Sequence, residues 1–284
     1  MIHKIDSRQL AIPNCHKILE HIKNVTEQEQ CDFMLIGAFA RDLNLQIVFK
    51  YKENPRATRD IDFAIAISNW EKFDLIVQDL VGLGFEKDKN QKYHRLYYEM
   101  IPIDLVPFGE IENNGKIKWP PDFSTTMTVM GFTEVFNASF VFELNNRIRF
   151  NVVSLPGLLI LKLIAWSERA EQTQKDGEDI NFIMRNYSTI NPDSLFVEHP
   201  DLIKQKKFDY VIAGTQILAR EVKKILSDSP VLKQMIIDIV ISESAKIETS
   251  KLANANTFGN SIIDNFDNLV AFKDEIVLKQ KINQ

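Results

Sequence analysis

The stretch that decides the fold is RDIDFAIAI, residues 59–67, in which small or acidic residues alternate with large apolar ones. Because successive side chains of a β-strand point to opposite faces, this alternation predicts a strand with one core face and one polar face. The core face holds Ile61, Phe63, Ile65 and Ile67. The other face holds Asp60, Asp62, Ala64 and Ala66. Its carboxylates lie about 7 Å apart along the strand. The alanines favour a crevice, and a solvated strand face is the alternative.

A second strand motif, IPIDLVPF, covers residues 101–108 and places Asp104 on one face. A carboxylate among such apolar neighbours is costly to bury unless it is paired or binds a metal. If this strand lies beside the first, Asp60, Asp62 and Asp104 converge on one site. A divalent cation would hold three such carboxylates ionised together. Because the ligands are hard oxygens, Mg²⁺ or Mn²⁺ is favoured over zinc.

A glycine turn and a basic loop precede the carboxylate strand. LIGAFARDL, residues 35–43, predicts a strand that ends at Gly37 and turns into a helix. Free backbone N–H groups at such a junction bind phosphate well, although a single glycine is a weak signal. The loop that follows carries four cations, Lys50, Lys52, Arg56 and Arg59. Most basic loops are merely solvated, but this one leads directly to Asp60.

One lysine interrupts the most apolar helix candidate, SLPGLLILKLIAWSERA, residues 154–170. The neighbours of Lys162 at helical spacing are apolar, so its ammonium group either reaches the surface or meets an anionic partner. The next helix begins with QKDGEDI, residues 174–180. Its Asp176 and Asp179 are explained most simply as acidic residues that complement the helix dipole.

The order of elements divides the chain near residues 154–157. Before that turn we predict a helix at 14–29 capped by Asn14, a helix between Asn69 and Gly84, strands in FEKDK, YHRLYYEM and IPIDLVPF, and a strand meander on the same sheet at 111–153. After it we predict helices at about 155–170, 174–187, 207–228, 230–246 and 261–275. The predicted fold class is therefore α+β. A mixed β-sheet with flanking helices spans 1–153, and an all-helical domain spans 154–284.

Composition limits the class of protein. The 284 residues include 34 basic and 39 acidic ones, for a net charge of −5, so the strongly basic chain of a duplex-binding module is absent. Cys15 and Cys31 form no CxxC pair, and we expect reduced, buried thiols. The first 13 residues hold no apolar segment typical of a secretory signal. The helix around Lys162 is about half as long as a membrane span. We expect a cytoplasmic protein with no membrane segment.

These motifs together resemble the nucleotidyltransferase superfamily with the polymerase-β-like fold. Gly37 in LIGAFARDL, the D-x-D of Asp60 and Asp62, and Asp104 in IDLVPF carry the resemblance. The helix with Lys162 and Arg169, followed by KDxxD at Lys175 to Asp179, resembles the AbiEii and MenT-type nucleotidyltransferase toxin branch. The resemblance covers residues 30–187, and its most specific part is the D-x-D with the third aspartate. One position departs from the pattern, because Ala38 stands where the family usually has glycine or serine. The serine hydroxyl contact is lost, whereas the backbone N–H donors remain.

The resemblance implies a role for each motif. Asp60 and Asp62 would bind the metal that carries the NTP triphosphate. Asp104 would complete a second metal site and draw the proton from the attacking hydroxyl. Lys162 would reach the triphosphate, and Asp176 or Asp179 would orient Lys162 or the base. The implied catalytic residues are Asp60, Asp62, Asp104 and Lys162. The implied nucleotide-binding residues are Gly37, Ala38, Arg41, Arg59, Lys162, Asp176 and Asp179.

The expected activity is transfer of NMP from an NTP to a hydroxyl acceptor, with Mg²⁺ or Mn²⁺ as cofactor. The acceptor stays open between a tRNA 3′ end, a protein side chain and a small molecule. The toxin branch implies a toxin–antitoxin or phage-defence role, with a possible antitoxin partner. A basic cluster in the helical part is compatible with RNA or with a solvated face: Lys204, Lys206, Lys207, Arg220, Lys223 and Lys224. The alternative function is an inactive nucleotide-binding or partner-binding module on the same fold.

Overall fold

A computed structural model describes residues 2–51, 58–90, 92–255 and 261–278. The chain divides into two compact units, Met1–Ser154 and Leu155–Gln284. The first unit contains all ten strands of the described residues. They are β1 Ile2–Ile5, β2 Phe33–Ile36, β3 Ile61–Ala66, β4 Glu86–Lys87, β5 Arg95–Tyr98, β6 Ile101–Phe108, β7 Lys116–Trp119, β8 Thr125–Thr128, β9 Phe140–Leu144 and β10 Ile148–Val152.

Eight of these strands form one mixed sheet in the order β1-β9-β10-β2-β3-β6-β5-β4. Strand β3 lies near the middle, antiparallel to β2 and parallel to β6. The apolar face of β3 is buried as the alternation predicts, with Ile61, Phe63 and Ile65 inaccessible to solvent. The polar face is half-buried at Asp62. The sheet therefore holds Asp62 near its centre, half-buried on one face.

The described residues of the first unit also form four α-helices: α1 Cys15–Gln28, α2 Gly37–Leu43, α3 Trp70–Gly82 and α4 Phe132–Asn137. Helix α1 buries one face that begins at Cys15. Helix α2 follows β2 without a loop and continues as a π-helical turn at Asn44–Val48. Helix α3 begins after Asn69, whose side chain accepts a hydrogen bond from the Lys72 N–H at 2.9 Å. This N-cap confirms the predicted start of the helix.

Among its described residues, the second unit contains helices and connecting turns and no strand. Its helices are α5 Leu155–Arg169, α6 Lys175–Ile190, α7 Pro200–Ile203, α8 Tyr210–Ile225, α9 Pro230–Glu243, α10 Lys251–Asn254 and α11 Ile262–Val277. Large apolar side chains fill its interior, among them Trp166, Tyr187 and Phe272. None of the helices in the described ranges is both long and apolar enough to cross a bilayer.

The mixed sheet followed by helices confirms the predicted fold class. The predicted meander at 111–153 is wrong in part. Only β9 and β10 join the main sheet, whereas β7 and β8 form a separate two-stranded sheet. Helix α4 interrupts the segment because Phe132, Val135 and Phe136 follow helical spacing, and the first two are buried. The cap at Asn14 is also wrong, since its side chain makes no cap and donates to Glu99 instead.

Candidate active site

Two of the predicted carboxylates lie side by side in the sheet. Asp62 of β3 pairs in register with Asp104 of β6. Paired residues of neighbouring strands point to the same face, and the strands lie about 4.8 Å apart. On its other side, Asp62 pairs with Ile36, the last residue of β2. Asp62 is thus placed between the start of α2 and Asp104.

The turn at Gly37 approaches Asp62 closely. Gly37 has a φ of +71°, which side chains other than glycine rarely adopt. A Cβ at this position would lie 2.0 Å from Oδ2 of Asp62. Both the backbone and the neighbouring carboxylate therefore require glycine here. The turn brings backbone to the carboxylate without a side chain between them.

Asp60 and the basic loop lie at the entrance of β3. Asp60 immediately precedes the strand, is half-buried, and accepts a hydrogen bond from the Thr58 hydroxyl. Arg59 and Lys50 are exposed. The other two loop cations, Lys52 and Arg56, lie outside the described residues.

Arg95 is the residue that the sequence reasoning missed. It lies on β5 directly opposite Asp104. Its guanidinium donates from Nε to Oδ1 and from Nη2 to Oδ2 of Asp104, both at 2.6 Å. The hydrogen bonds to Asp104 raise the pKa of Arg95 further. The pairing of Arg95 with Asp104 follows from the hairpin between β5 and β6. A two-residue turn at Glu99 and Met100 fixes the register of that hairpin, so these two residues are the signal in the sequence.

This pairing bears on the predicted metal site. Within the described residues, no three His, Cys, Asp or Glu side chains form a group that could hold a metal ion. The side chains of Asp60, Asp62 and Asp104 therefore do not converge on one metal position, contrary to the sequence prediction. Both oxygens of Asp104 face Arg95, and Asp60 accepts its hydrogen bond from Thr58. The donor chemistry still fits Mg²⁺ or Mn²⁺, since carboxylate oxygens are the ligands both prefer.

In the second unit, Lys162 of α5 meets the two aspartates of α6. Its Nζ lies 2.8 Å from Oδ1 of Asp176 and 2.8 Å from Oδ2 of Asp179. Arg169 donates from Nε to Oδ2 of Asp176 at 2.6 Å. Both aspartates are buried, whereas Arg169 is half exposed. Of the two alternatives for Lys162, the structure shows the anionic partner.

Electrostatics within this cluster favour its charged forms. Burial alone would lower the pKa of Lys162, but Asp179 and Asp176 outweigh it and raise that pKa. Burial alone would raise the pKa of Asp176, but the hydrogen bond from Arg169 and the charge of Lys162 lower it overall. The buried charges are therefore paired, as buried charges must be to persist.

Comparison with known proteins identifies the family. A sequence profile described as "Nucleotidyl transferase AbiEii toxin, Type IV TA system" matches residues 17–228. The chain belongs to the AbiEii nucleotidyltransferase toxin family. It is accordingly a nucleotidyltransferase, which confirms the predicted superfamily, branch and enzyme class.

The AbiEii chain was also compared with curated protein sequences and with solved structures. No curated protein sequence matches it. Among solved structures, the Elizabethkingia meningoseptica CdnE cyclic dinucleotide synthase, determined with GTP and Apcpp, is similar over 96% of this chain and 95% of its own. The two are 8% identical, with a TM-score of 0.28.

Two predicted nucleotide-binding residues of the AbiEii chain lie in the interior. Arg41 is inaccessible to solvent, and its Nη2 lies 2.7 Å from Oδ1 of Asp42. The structure thus gives this cation a buried carboxylate partner, which the sequence did not predict. Ala38 is also buried, with 8% of its surface exposed. Its methyl group therefore fills space inside the protein.

The basic cluster in the helical unit is partly neutralised. Arg220 donates to Asp201 at 2.7 Å and to Glu275 at 2.8 Å. Lys223 donates to the carbonyl of Leu278. The remaining members are exposed: Lys204, Lys206, Lys207 and Lys224. The cluster is thus a smaller positive surface than its sequence indicates.

Proposed function

We propose that this AbiEii-family chain transfers NMP from an NTP to a hydroxyl acceptor with the help of Mg²⁺ or Mn²⁺. The observation that carries the proposal is the register pairing of Asp62 with Asp104, next to the glycine turn at Gly37. Neighbouring carboxylates on one face of a sheet offer the hard oxygen ligands that Mg²⁺ and Mn²⁺ prefer. Asp60, two residues before Asp62, would complete the ligand set.

The chain's own groups account for the remaining chemistry. The acceptor oxygen forms a bond to the α-phosphorus, the bond from that phosphorus to the bridging oxygen breaks, and pyrophosphate leaves. Asp104 accepts the proton of the attacking hydroxyl. Asp60 and Asp62 would bind the cation that carries the triphosphate, and Asp104 would complete a second metal site. The cations would supply charge neutralisation at the phosphates and would lower the pKa of the hydroxyl. The first unit, 1–153 in the sequence prediction, is thus proposed as the catalytic domain.

Lys162 is proposed to bind a nucleotide phosphate. Asp176 and Asp179 fix its ammonium group between them at 2.8 Å each. A lysine held in this way is charged and pre-oriented, so little rotamer entropy is lost when an anion binds. Arg59, exposed beside Asp60, is proposed as a further phosphate contact.

The biological role proposed is that of a toxin with an antitoxin partner, as the family description of a type IV toxin–antitoxin system implies. The acceptor class is proposed to be a hydroxyl of a tRNA 3′ end, a protein or a small molecule. Exposed Lys204, Lys206 and Lys207 would favour an RNA acceptor, because counterion release from phosphates supplies affinity.

The test is label transfer from each α-labelled NTP, with Mg²⁺, to total tRNA, lysate protein and small-molecule fractions. Wild-type protein is compared with Asp62→Asn and with a control, Asp6→Asn. Asp6 follows β1, four strands from β3 in the sheet and about 19 Å away. Transfer that is retained in the control and lost in Asp62→Asn supports the proposal. Nucleotide binding without transfer to any fraction would contradict it and favour an inactive binding module.

A further inference from the structure

We propose that Arg95 competes with the divalent cation for Asp104, and that its guanidinium moves to a phosphate of the NTP when the cation binds. This inference rests on the proposed function, because it takes Asp104 to be a metal ligand. It adds to that function a residue, Arg95, which releases Asp104 for the cation when the nucleotide offers it a phosphate.

Arg95 and Asp104 form a bidentate ion pair. Both N–H donors of the guanidinium fork meet both oxygens of Asp104 at 2.6 Å. The side chains are mostly buried, at 23% exposure for Arg95 and 15% for Asp104. Such bidentate pairs are among the strongest side-chain hydrogen bonds in proteins. Arg95 therefore holds the carboxylate in place while no cation is near.

The same pair disfavours a cation at Asp104. A guanidinium in contact with the carboxylate would lie within a few ångströms of a bound Mg²⁺, where the two positive charges repel. The absence of a three-ligand metal group among the described side chains accords with this, since Asp104 faces Arg95. Cation binding at Asp104 is thus favoured when Arg95 leaves.

A phosphate is the natural second partner of the released side chain. The planar fork that matches a carboxylate also matches a phosphate, and both take two parallel N–H···O hydrogen bonds. Arg95 stands on the strand next to Asp104, so a nucleotide phosphate bound near that carboxylate lies within its reach. The exchange keeps every charge paired in both states.

The sheet offers a matched control for the loss of such a pair. Arg149 of β10 lies directly opposite Glu143 of β9 and donates to it from Nε at 2.7 Å. Neither residue adjoins Asp62 or Asp104, because β2 lies between β10 and β3 and β9 is one strand farther away. Arg149→Gln therefore removes a cross-strand arginine–carboxylate pair without touching the proposed metal ligands.

The experiment is a Mn²⁺ titration without nucleotide, with free Mn²⁺ counted by electron paramagnetic resonance. We expect Arg95→Gln to bind Mn²⁺ about tenfold more tightly than wild type, as removal of one nearby positive charge allows. Arg149→Gln should bind Mn²⁺ like wild type. In transfer assays, Arg95→Gln should raise KM for the NTP more than it lowers kcat.

The outcomes separate this inference from the proposed function. Unchanged or weaker Mn²⁺ binding by a folded Arg95→Gln protein would overturn the competition. If Arg95→Gln does not fold by circular dichroism, Arg95→Lys is used instead, and it should tighten Mn²⁺ binding because the fork is lost. A parallel Asp62→Asn titration tests the metal site itself. If Asp62→Asn binds Mn²⁺ like wild type, the proposed function fails, whatever Arg95 does.

Discussion

Gly37 and Asp62 are in such close contact that a Cβ on Gly37 would lie 2.0 Å from the Asp62 carboxylate. The contact joins the end of β2 to the D-x-D strand, and the φ of +71° at Gly37 makes the turn possible. A side chain here would displace the carboxylate that the proposed chemistry depends on. The position therefore couples stability and activity.

We expect Gly37→Ala to destabilise the protein by about 2 kcal/mol, since a left-handed conformation alone costs non-glycine residues about 1–2 kcal/mol. NMP transfer should also be lost. Urea unfolding and label transfer measure the two effects. The control is Gly82→Ala at the end of α3, where a Cβ meets nothing within 4 Å. This control should be neutral or stabilising by up to about 1 kcal/mol. A Gly37→Ala protein as stable and active as wild type would refute the contact.

Lys162→Met should destabilise the helical unit by about 3–5 kcal/mol, because it leaves two buried carboxylates without this cation. The double variant Lys162→Met/Asp179→Asn should recover most of that loss, since one of the buried charges is removed with it. Both proteins should lack NMP transfer if Lys162 binds the nucleotide. Exposed Lys175→Met is the control and should change stability by less than about 0.5 kcal/mol. Wild-type stability of the single variant would show that the ion pair contributes nothing.

The Lys162 cluster predicts a pH window for stability. The pKa of Asp176 lies below its ordinary value of 3.8 in the folded protein. Its contribution is therefore present above about pH 4 and is lost as the pH falls through the folded pKa. The pKa of Lys162 is raised above its ordinary value of 10.5. Its contribution to folding stability is therefore present below pH 10.5 and is lost as the pH rises through the folded pKa. Urea midpoints from pH 2 to 7, taken roughly one pH unit apart, should fall less steeply for Asp176→Asn than for wild type. Equal slopes would contradict the assignment.

Both cysteines should resist alkylation. Cys15 is buried as expected, whereas Cys31 is only half-buried. Burial raises the pKa of Cys31 to about 11 and that of Cys15 higher still. Because the thiolate is the reactive form, native thiols should react at pH 7.5 roughly a hundredfold more slowly than in urea. A colorimetric thiol reagent gives both rates, and the two Cys→Ala variants assign them. Labelling of native protein at the unfolded rate would contradict the described burial.

The strongest local patterns were sufficient to predict much of the fold. Alternation alone assigns the faces of β3, because period two has no competing interpretation there. Asn69 likewise predicts the start of α3, since its side chain caps its own helix. The segment around Phe132 was predicted as a strand because aromatic residues favour strands. In the structure, Phe132 and Phe136 contact Phe108 at helical spacing.

The site was harder to predict, because its contacts join residues distant in sequence. The D-x-D and Asp104 are visible as motifs, but their adjacency depends on β6 lying parallel to β3. Arg95 depends on hairpin register, which one residue more or less in the turn would change. Local helical spacing leaves two alternatives for Lys162, and the approach of α6 decides between them.

The central claim is that Asp62 and Asp104 together support nucleotidyl transfer, and parallel reactions with α-labelled and γ-labelled NTP test it most directly. The account predicts that wild-type protein transfers the α-label and not the γ-label to an acceptor. Asp62→Asn and Asp104→Asn should each abolish transfer, while both remain folded by circular dichroism. Transfer of the γ-label, or α-label transfer at the wild-type rate by either variant, would contradict the account.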